Sequence, residues 1–254
     1  MSGRWSNVSF DYRGAAVLVT GGTSGLGASI AEAYREAGAE VTITGTRGSP
    51  AEYDEDLSGY RYLRLDVEDR ANVDAVAAAM PRLDILINNA GMMFGAVGLD
   101  EFDPDVFERA IAVHLLSAQR LAMRSRDKLS ESKLPGGASV IGIGSLGSFF
   151  GLEIIPGYGS GKTGLGGLTK VLAVAWGKRN IRVNVVAAGT SWTRMTTPVL
   201  SDPEFSKAHL ARTPLGRHGM PDDINGVVLF LTSGAAGWIT GQTLFVDGGY
   251  TVAG

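Results

Sequence analysis

The chain has 254 residues, of which 44% are hydrophobic and 19% charged, and it contains no cysteine. This composition argues against disorder and excludes a disulfide scaffold or a cysteine-based metal or redox site. The net charge of −3 gives no reason to expect a nucleic-acid partner. No apolar stretch approaches a membrane span, and residues 1–14 lack the apolar region of a signal peptide. We expect a soluble, cytoplasmic protein.

Short apolar runs alternate along the chain with stretches of helical spacing. The predicted strands are residues 15–20, 41–44, 60–65, 83–87, 139–143, 181–186 and 243–246. The predicted helices are residues 28–37, 70–80, 104–129, 158–178 and 224–231. Such an alternation is typical of a parallel sheet with helices on both faces.

With right-handed crossovers, this order predicts an α/β fold with a Rossmann-type doubly wound parallel sheet. Neither an internal repeat nor a convincing linker interrupts it, so we expect one domain of residues 1–254. Residues 190–221 are the one stretch that breaks the alternation, and they carry apolar side chains such as Trp192 and Phe205. We expect this irregular segment to cover a substrate.

A glycine-rich turn, Thr-Gly-Gly-Thr-Ser-Gly-Leu-Gly at residues 20–27, joins the first predicted strand to the first helix. Glycine lets the backbone approach a pyrophosphate closely, and a helix N-terminus offers unpaired N–H groups and a favourable dipole. The spacing is not Gly-x-Gly-x-x-Gly, and a tight connection without a ligand is the alternative. The position between strand and helix favours dinucleotide binding.

Thr46 and Arg47 follow the second strand, where folds of this kind select their cofactor. An acid at this strand end would bind the ribose 2′-hydroxyl of NAD, and the sequence has none there. Arg47 offers a guanidinium group to the 2′-phosphate of NADP instead. The alternative is that Arg47 is a solvated loop charge. The sequence favours NADP(H), and NAD(H) remains possible.

Tyr158 and Lys162 are four residues apart on a predicted helix, so their side chains share a face. A nearby cation favours the phenolate, so we expect Lys162 to lower the pKa of Tyr158 from its usual value of about 10. Ser145, at a predicted strand end, offers a hydroxyl to hold an oxygen. The pair alone is weak evidence, because Tyr-x-x-x-Lys arises by chance in roughly a third of chains this size.

Several motifs in order resemble those of the short-chain dehydrogenase/reductase family over nearly the whole chain. They are residues 20–27, 66–67, 88–91, Ser145, Tyr158 with Lys162, 184–189 with Thr193, and 247–249. The resemblance implies hydride transfer between a nicotinamide cofactor and a carbonyl/alcohol pair.

The resemblance also implies a role for each matching residue. Tyr158 would pass a proton to or from the substrate oxygen, and Ser145 would hold that oxygen. Lys162 would bind the nicotinamide ribose and lower the pKa of the phenol. The expected cofactor-binding residues are Gly21, Thr23, Ser24, Gly25, Leu26, Gly27, Thr46, Arg47, Asp66, Val67, Asn89, Ala90, Gly91, Tyr158, Lys162, Ser191 and Thr193.

His114 stands where most members of that family carry an asparagine, which helps to hold a water in a proton relay. A histidine can donate or accept and titrates near neutral pH. It could therefore replace the relay and make activity more dependent on pH, and we count it with the catalytic residues. The equally weighted alternative is that His114 only fills a helix kink.

The expected substrate-side residues are mostly apolar, which suits a hydrophobic or cyclic ketone or alcohol. They are Met92, Met93, Phe149, Phe150, Ile154, Ile155, Trp192 and Met195, and several of them are expected to be core instead. His209 and His218 have no carboxylates at metal-ligand spacing, so we expect no metal site.

The leading function is an NADP(H)-dependent carbonyl reductase or alcohol dehydrogenase that interconverts a ketone and a secondary alcohol. The alternatives are an NAD-dependent alcohol dehydrogenase, a lyase on the same fold and a non-catalytic cofactor-binding protein. The lyase and the non-catalytic protein are disfavoured, because the glycine turn, Ser145, Tyr158 and Lys162 are all present. Members of the family usually form homotetramers or homodimers, with which the apolar stretch 238–246 is compatible. No membrane partner is expected.

Overall fold

The computed structural model describes residues 7–151 and 153–254. Seven strands form one sheet in the order β3-β2-β1-β4-β5-β6-β7, and neighbouring strands pair in parallel throughout. They are β1 (Ala16–Val19), β2 (Glu40–Gly45), β3 (Arg61–Arg64), β4 (Ile85–Asn88), β5 (Ala138–Ser145), β6 (Ile181–Ala188) and β7 (Thr243–Val246). The expected single domain also includes residues 1–6 and 152, which lie outside the described residues.

Helices cover both faces of the sheet. They are α1 (Gly25–Glu36), α2 (Arg70–Ala79), α3 (Pro104–Ile111), α4 (Ser117–Ser130), α5 (Pro156–Trp176), α6 (Thr197–Leu200), α7 (Pro203–Ala211) and α8 (Asn225–Thr232). The predicted α/β fold with a Rossmann-type doubly wound sheet is confirmed. None of the helices in the described residues is both long and apolar enough to cross a membrane.

Side chains of β1 alternate between the two faces, as the two-residue period of a strand requires. Val17 and Val19 pack with α1 and α8, whereas Leu18 packs with α2, α4 and α5. Both faces are therefore buried, which explains why the strands read as short continuous apolar runs.

The strand order reverses beside β1. The chain places β2 and then β3 on one side of β1, and returns to place β4 on the other side. At such a switch point the connections at the carboxyl ends of the strands diverge and leave a crevice. The glycine turn after β1 and the Asn-Asn-Ala-Gly sequence after β4 (residues 88–91) meet there.

The long helical stretch predicted over residues 104–129 is present, but its middle is not α-helical. A π-helical segment, Ala112–Leu116, separates α3 from α4 and carries His114. A π turn inserts one extra residue without ending the helix. The apolar spacing shifts by only one position there, so the sequence reads as one helical stretch.

The irregular segment predicted at residues 190–221 contains α6 and α7. Asp202 caps the first turn of α7 by accepting from the N–H groups of Glu204 and Phe205, and Pro203 follows it as the first helical residue. Both are ordinary signals for a helix start, so the sequence of this segment also encodes a helix.

Candidate active site

The glycine turn is held tightly against the end of β4. The side-chain amide of Asn89 donates to the carbonyl oxygens of Thr20 and Gly21 at 2.9 and 3.2 Å. A Cβ atom on Gly27 would lie 2.2 Å from the oxygen of Gly21 and 2.4 Å from Nδ2 of Asn89. Gly25 adopts a φ of +56°, a conformation that side chains disfavour. A side chain at Gly25 or Gly27 would force the backbone of the turn to move, so both positions require glycine.

The N-terminus of α1 fits an anionic ligand. Its N-cap residue Ser24 makes no side-chain capping hydrogen bond, and the first turn contains no acid. By contrast, α2, α3 and α7 are each capped by the carboxylate of an aspartate, at Asp69, Asp103 and Asp202. The N–H groups of α1 are thus available to a phosphate, as a dinucleotide requires.

The other expected cofactor residues occupy the carboxyl edge of the sheet and its loops. Asp66 accepts from the N–H of Glu68 at 3.0 Å and Ala90 donates to Oγ1 of Thr20 at 3.0 Å. Thr193 bonds the hydroxyl of Thr196 at 3.0 Å, and Ser191 is buried. These contacts order the loops; binding of a cofactor by these residues remains a prediction.

Tyr158 and Lys162 lie on one face of α5, in its first and second turns, as their spacing predicted. The ammonium nitrogen of Lys162 lies 5.8 Å from the centre of the Tyr158 ring. It donates to the carbonyl oxygen of Ile143 at 2.7 Å, which ties α5 to β5. The hydroxyl of Ser145 interacts with the phenol and accepts from the N–H of Gly147 at 3.2 Å. The three predicted residues therefore converge.

The expectation that Lys162 lowers the pKa of Tyr158 is wrong for this structure. Burial raises the pKa of Tyr158; the hydrogen bond from Ser145 lowers it, and the charge of Glu101 raises it again. Burial also lowers the pKa of Lys162 to about 8. The lysine acts too weakly at this distance to offset the loss of water around the phenol.

His114 contacts Tyr158. Its ring lies 4.8 Å from that of Tyr158, edge to face, and its Nε2 lies 2.7 Å from the carbonyl oxygen of Met92. A carbonyl only accepts, so Nε2 carries the proton in the neutral ring and Nδ1 is the bare acceptor. Nδ1 is buried and has no hydrogen-bond partner among the described residues.

The expectation that His114 titrates near neutral pH is also wrong. Burial and the charge of Lys162 lower the pKa of His114 to about 3, although the hydrogen bond to Met92 acts in the opposite direction. The imidazole is therefore neutral throughout the physiological range. It can still accept a hydrogen bond through Nδ1, so a relay through a fixed tautomer remains compatible with its position.

Two further residues shape the site without any motif in the sequence. Glu101 is buried, and its carboxylate accepts from the backbone N–H of Tyr158 at 2.7 Å, in the first turn of α5. Ser148 accepts from the N–H of Ser145 at 3.2 Å and donates to the carbonyl oxygen of Lys162 at 3.0 Å. The contact of Glu101 with Tyr158 joins residues 57 apart and that of Ser148 with Lys162 residues 14 apart, which local patterns do not reveal.

The substrate side is less uniformly apolar than expected. Phe149 and Phe150 pack edge to face, while Ile154 is 75% exposed. The guanidinium of Arg212 lies over the rings of Phe150 and Tyr250, at 4.6 and 4.7 Å. The rings of His209 and His218 lie 5.1 Å apart beside Trp192 and Tyr250. No cluster of three or more possible metal ligands occurs in the described part of the chain.

Comparison with known proteins gives a consistent result. A sequence profile described as "Enoyl-(Acyl carrier protein) reductase" matches residues 21–251. The D-threitol dehydrogenase of Mycolicibacterium smegmatis is 33% identical over 257 residues, covering 97% of each chain. The 2-dehydro-3-deoxy-D-gluconate 5-dehydrogenase of Pseudoalteromonas atlantica is 34% identical over 251 residues, covering 95% of this chain and 97% of that protein.

A solved structure agrees with the sequence matches. The gluconate 5-dehydrogenase of Burkholderia cenocepacia, in complex with NADP and tartrate, superimposes with a TM-score of 0.84 at 30% identity. The match covers 96% of this chain and 98% of the other.

Proposed function

The chain belongs to the short-chain dehydrogenase/reductase family of oxidoreductases, and we propose that it interconverts a ketone and a secondary alcohol with NADP(H). This proposal is supported most directly by the convergence of Ser145, Tyr158 and Lys162 near the glycine turn. The helix that follows this turn has no side-chain cap at its N-terminus. Asn89 binds the turn, Gly91 touches His114, and His114 touches Tyr158, so the two halves of the site are in contact.

The residues suit carbonyl reduction. The bound nicotinamide would supply the hydride. Because burial raises its pKa, the phenol of Tyr158 stays protonated at neutral pH and can give its proton to the substrate oxygen. Ser145 would donate a hydrogen bond to the same oxygen as charge develops on it. Lys162, with a pKa of about 8, carries its charge at neutral pH and would hold ribose hydroxyls.

NADP(H) is preferred to NAD(H) because no acid ends β2 and Arg47 follows it. The gluconate 5-dehydrogenase relative was crystallised with NADP. An NAD-dependent alcohol dehydrogenase remains the alternative if Arg47 is only a solvated charge. A non-catalytic cofactor-binding protein is disfavoured, since all three catalytic groups are in place.

Two substrate classes have support. The partly exposed Phe149, Trp192 and Met195 favour a hydrophobic or cyclic ketone. Arg212 lies against Phe150, and a cation there favours an acid, such as the sugar acids named for the relatives. Residues 190–221 would cover whichever substrate binds. We also propose that the protein is cytoplasmic and forms a homotetramer or a homodimer.

Tyr158→Phe tests the assignment, because it removes only the proton that is transferred. We expect turnover to fall by at least about 100-fold while the dissociation constant of NADPH changes less than about threefold. Stopped-flow kinetics on a panel of cyclic ketones and sugar acids, with NADPH titrations, measures both quantities. The matched control is Tyr60→Phe, since Tyr60 precedes β3 at the opposite, amino edge of the sheet.

Retained turnover in Tyr158→Phe would disprove the role of the phenol. Failure of the wild-type protein to bind either NADPH or NADH would disprove the oxidoreductase assignment as a whole.

A further inference from the structure

The space beside the end of β2 is filled by a tyrosine from a later loop. Gly45 is the last residue of β2, and a Cβ atom on it would lie 2.2 Å from the phenol oxygen of Tyr53. The same atom would lie 2.8 Å from Cγ2 of Thr23 in the glycine turn. The strand end where an NAD-binding fold carries an acid is therefore occupied by a neutral phenol.

Several contacts hold Tyr53 in this place. Its oxygen accepts from the backbone N–H of Arg47 at 3.1 Å, and the guanidinium of Arg47 lies over its ring at 4.7 Å. Tyr62 donates to the carbonyl oxygen of Arg47 at 2.6 Å, closing the loop around the phenol. Tyr53 is thus positioned by the same residue that the sequence assigns to the cofactor phosphate.

The hydroxyl proton of Tyr53 is available to a ligand. The oxygen already accepts from Arg47, and its distance to the hydroxyl oxygen of Tyr62 is 3.4 Å, at the long limit of an O–H···O bond. Burial alone would raise the pKa of Tyr53, but its hydrogen bonds with Tyr62, Arg47, Thr46 and Thr23 together lower it. A phenol in such surroundings is a good donor to an anion.

We propose that Tyr53 is a specificity-determining residue, whose hydroxyl donates to the 2′-phosphate of the adenosine ribose and whose ring holds Arg47 towards that phosphate. The assignment rests on the proposed function, because it concerns the same cofactor. Tyr53 would add a neutral donor beside the cation of Arg47. The 2′-phosphate of NADP would gain one charge-assisted hydrogen bond from Tyr53, whereas the 2′-hydroxyl of NAD would gain only an ordinary one.

The chain offers a matched control for Tyr53. Tyr60 lies on the same connection between β2 and β3 and also has an arginine, Arg35, over its ring at 5.4 Å. It packs against the core beneath α1 and not at the carboxyl edge of the sheet. Both side chains have an arginine over the ring, but only Tyr53 adjoins Thr23 of the glycine turn.

The experiment is isothermal titration of the full chain with adenosine 2′,5′-bisphosphate and with 5′-AMP, then with NADPH and NADH. For Tyr53→Phe we expect the two ligands with a 2′-phosphate to bind about 10-fold more weakly. Binding of 5′-AMP and NADH should change less than about twofold, and Tyr60→Phe should change none of the four constants. Circular dichroism and melting curves establish that each variant is folded.

Equal weakening of ligands with and without the 2′-phosphate, or no weakening, would overturn the assignment of Tyr53. Tighter binding of NADH than of NADPH by the wild-type chain would also overturn the assignment of Tyr53, but it would not contradict the oxidoreductase function. Binding of neither dinucleotide would remove the proposed function as well, so the two failures are distinguishable.

A second pair of variants tests the occupied space directly. In Gly45→Asp alone, the new side chain meets the phenol, so we expect weaker binding of both NADPH and NADH. In Gly45→Asp with Tyr53→Ala, the phenol no longer crowds the carboxylate, and only the methyl group of Thr23 must shift. The carboxylate can then accept from the ribose hydroxyls, and NADH should become the preferred ligand. A single Gly45→Asp variant that already prefers NADH would show that Tyr53 does not control the space.

Discussion

At the scale of single residues, His114 shows how a site can depend on a group that does not titrate. The imidazole of His114 packs against Tyr158 and Gly91. A Cβ atom on Gly91 would lie 2.9 Å from Nδ1 of His114. In the unfolded chain the imidazole would have its usual pKa near 6.5, whereas burial and Lys162 lower the pKa in the folded state to about 3. The folded protein therefore excludes a proton that the unfolded chain binds.

This difference predicts a loss of stability in acid. Between pH 6.5 and 3 only the unfolded state binds the proton, so stability falls as the pH decreases through this window. From pH 7 to pH 5 we expect the wild-type protein to lose about 2 kcal/mol of unfolding free energy through His114. Chemical denaturation of wild type and His114→Asn at both pH values measures it.

The informative quantity is the dependence on pH and not the absolute stability of the variant. His114→Asn should lose about 2 kcal/mol less than wild type between the two pH values. An identical loss in both proteins would mean that the folded imidazole takes up the proton freely.

At the scale of elements, glycines on one face of α5 decide how this helix packs. Cβ atoms on Gly157, Gly161 and Gly164 would lie 2.6, 2.8 and 2.7 Å from side-chain atoms of Ala110, His114 and Leu115. The absence of side chains lets α5 approach α3 and the π-helical segment closely. This approach is what places Tyr158 against His114.

Gly161→Ala should therefore destabilise the protein despite the better helix propensity of alanine. The added methyl group must move α5 away from His114, at a cost of about 1–3 kcal/mol. The control is Gly166→Ala on the same helix, where the nearest atom to the new Cβ would be Oγ1 of Thr243 at 3.8 Å. There we expect no loss or a gain of about 0.5–1 kcal/mol.

Urea denaturation of the two variants, with turnover measured alongside, separates these effects. Equal stability of Gly161→Ala and Gly166→Ala would show that the helices do not pack as closely as the structure indicates.

At the scale of the whole molecule, α5 also presents an apolar surface to solvent. Val171 is 65% and Val174 is 86% exposed, and on α4 Met123 is 43% exposed. Contiguous apolar patches on a surface often mark the part that another subunit covers. The proposed homotetramer or homodimer would cover them.

Val174→Glu should weaken the proposed assembly, because a charge would be buried without a partner. We expect light scattering to show a reduced mass, while the far-ultraviolet circular dichroism stays unchanged. Val8→Glu, at a residue 50% exposed near the N-terminus, is the control and should keep the wild-type mass. A monomeric wild-type protein would contradict the assembly.

The sequence by itself determined the fold, and it supplied the four catalytic candidates Ser145, Tyr158, Lys162 and His114. The buried strands are recognisable in the sequence as short apolar runs. Tyr158, Lys162 and the glycine turn are recognisable from residue spacings within one helical turn or one loop. Such signals are local, because backbone geometry and helical period act over a few neighbouring residues.

Only the tertiary structure decided the electrostatics and the partners of these groups. The phenol of Tyr53 fills the space of Gly45, and Glu101 binds the first turn of α5 from 57 residues away. The pKa of Tyr158 is raised and that of His114 lowered, because both lose water on burial. Desolvation and contacts between distant segments exist only once the chain has folded, so no local pattern records them.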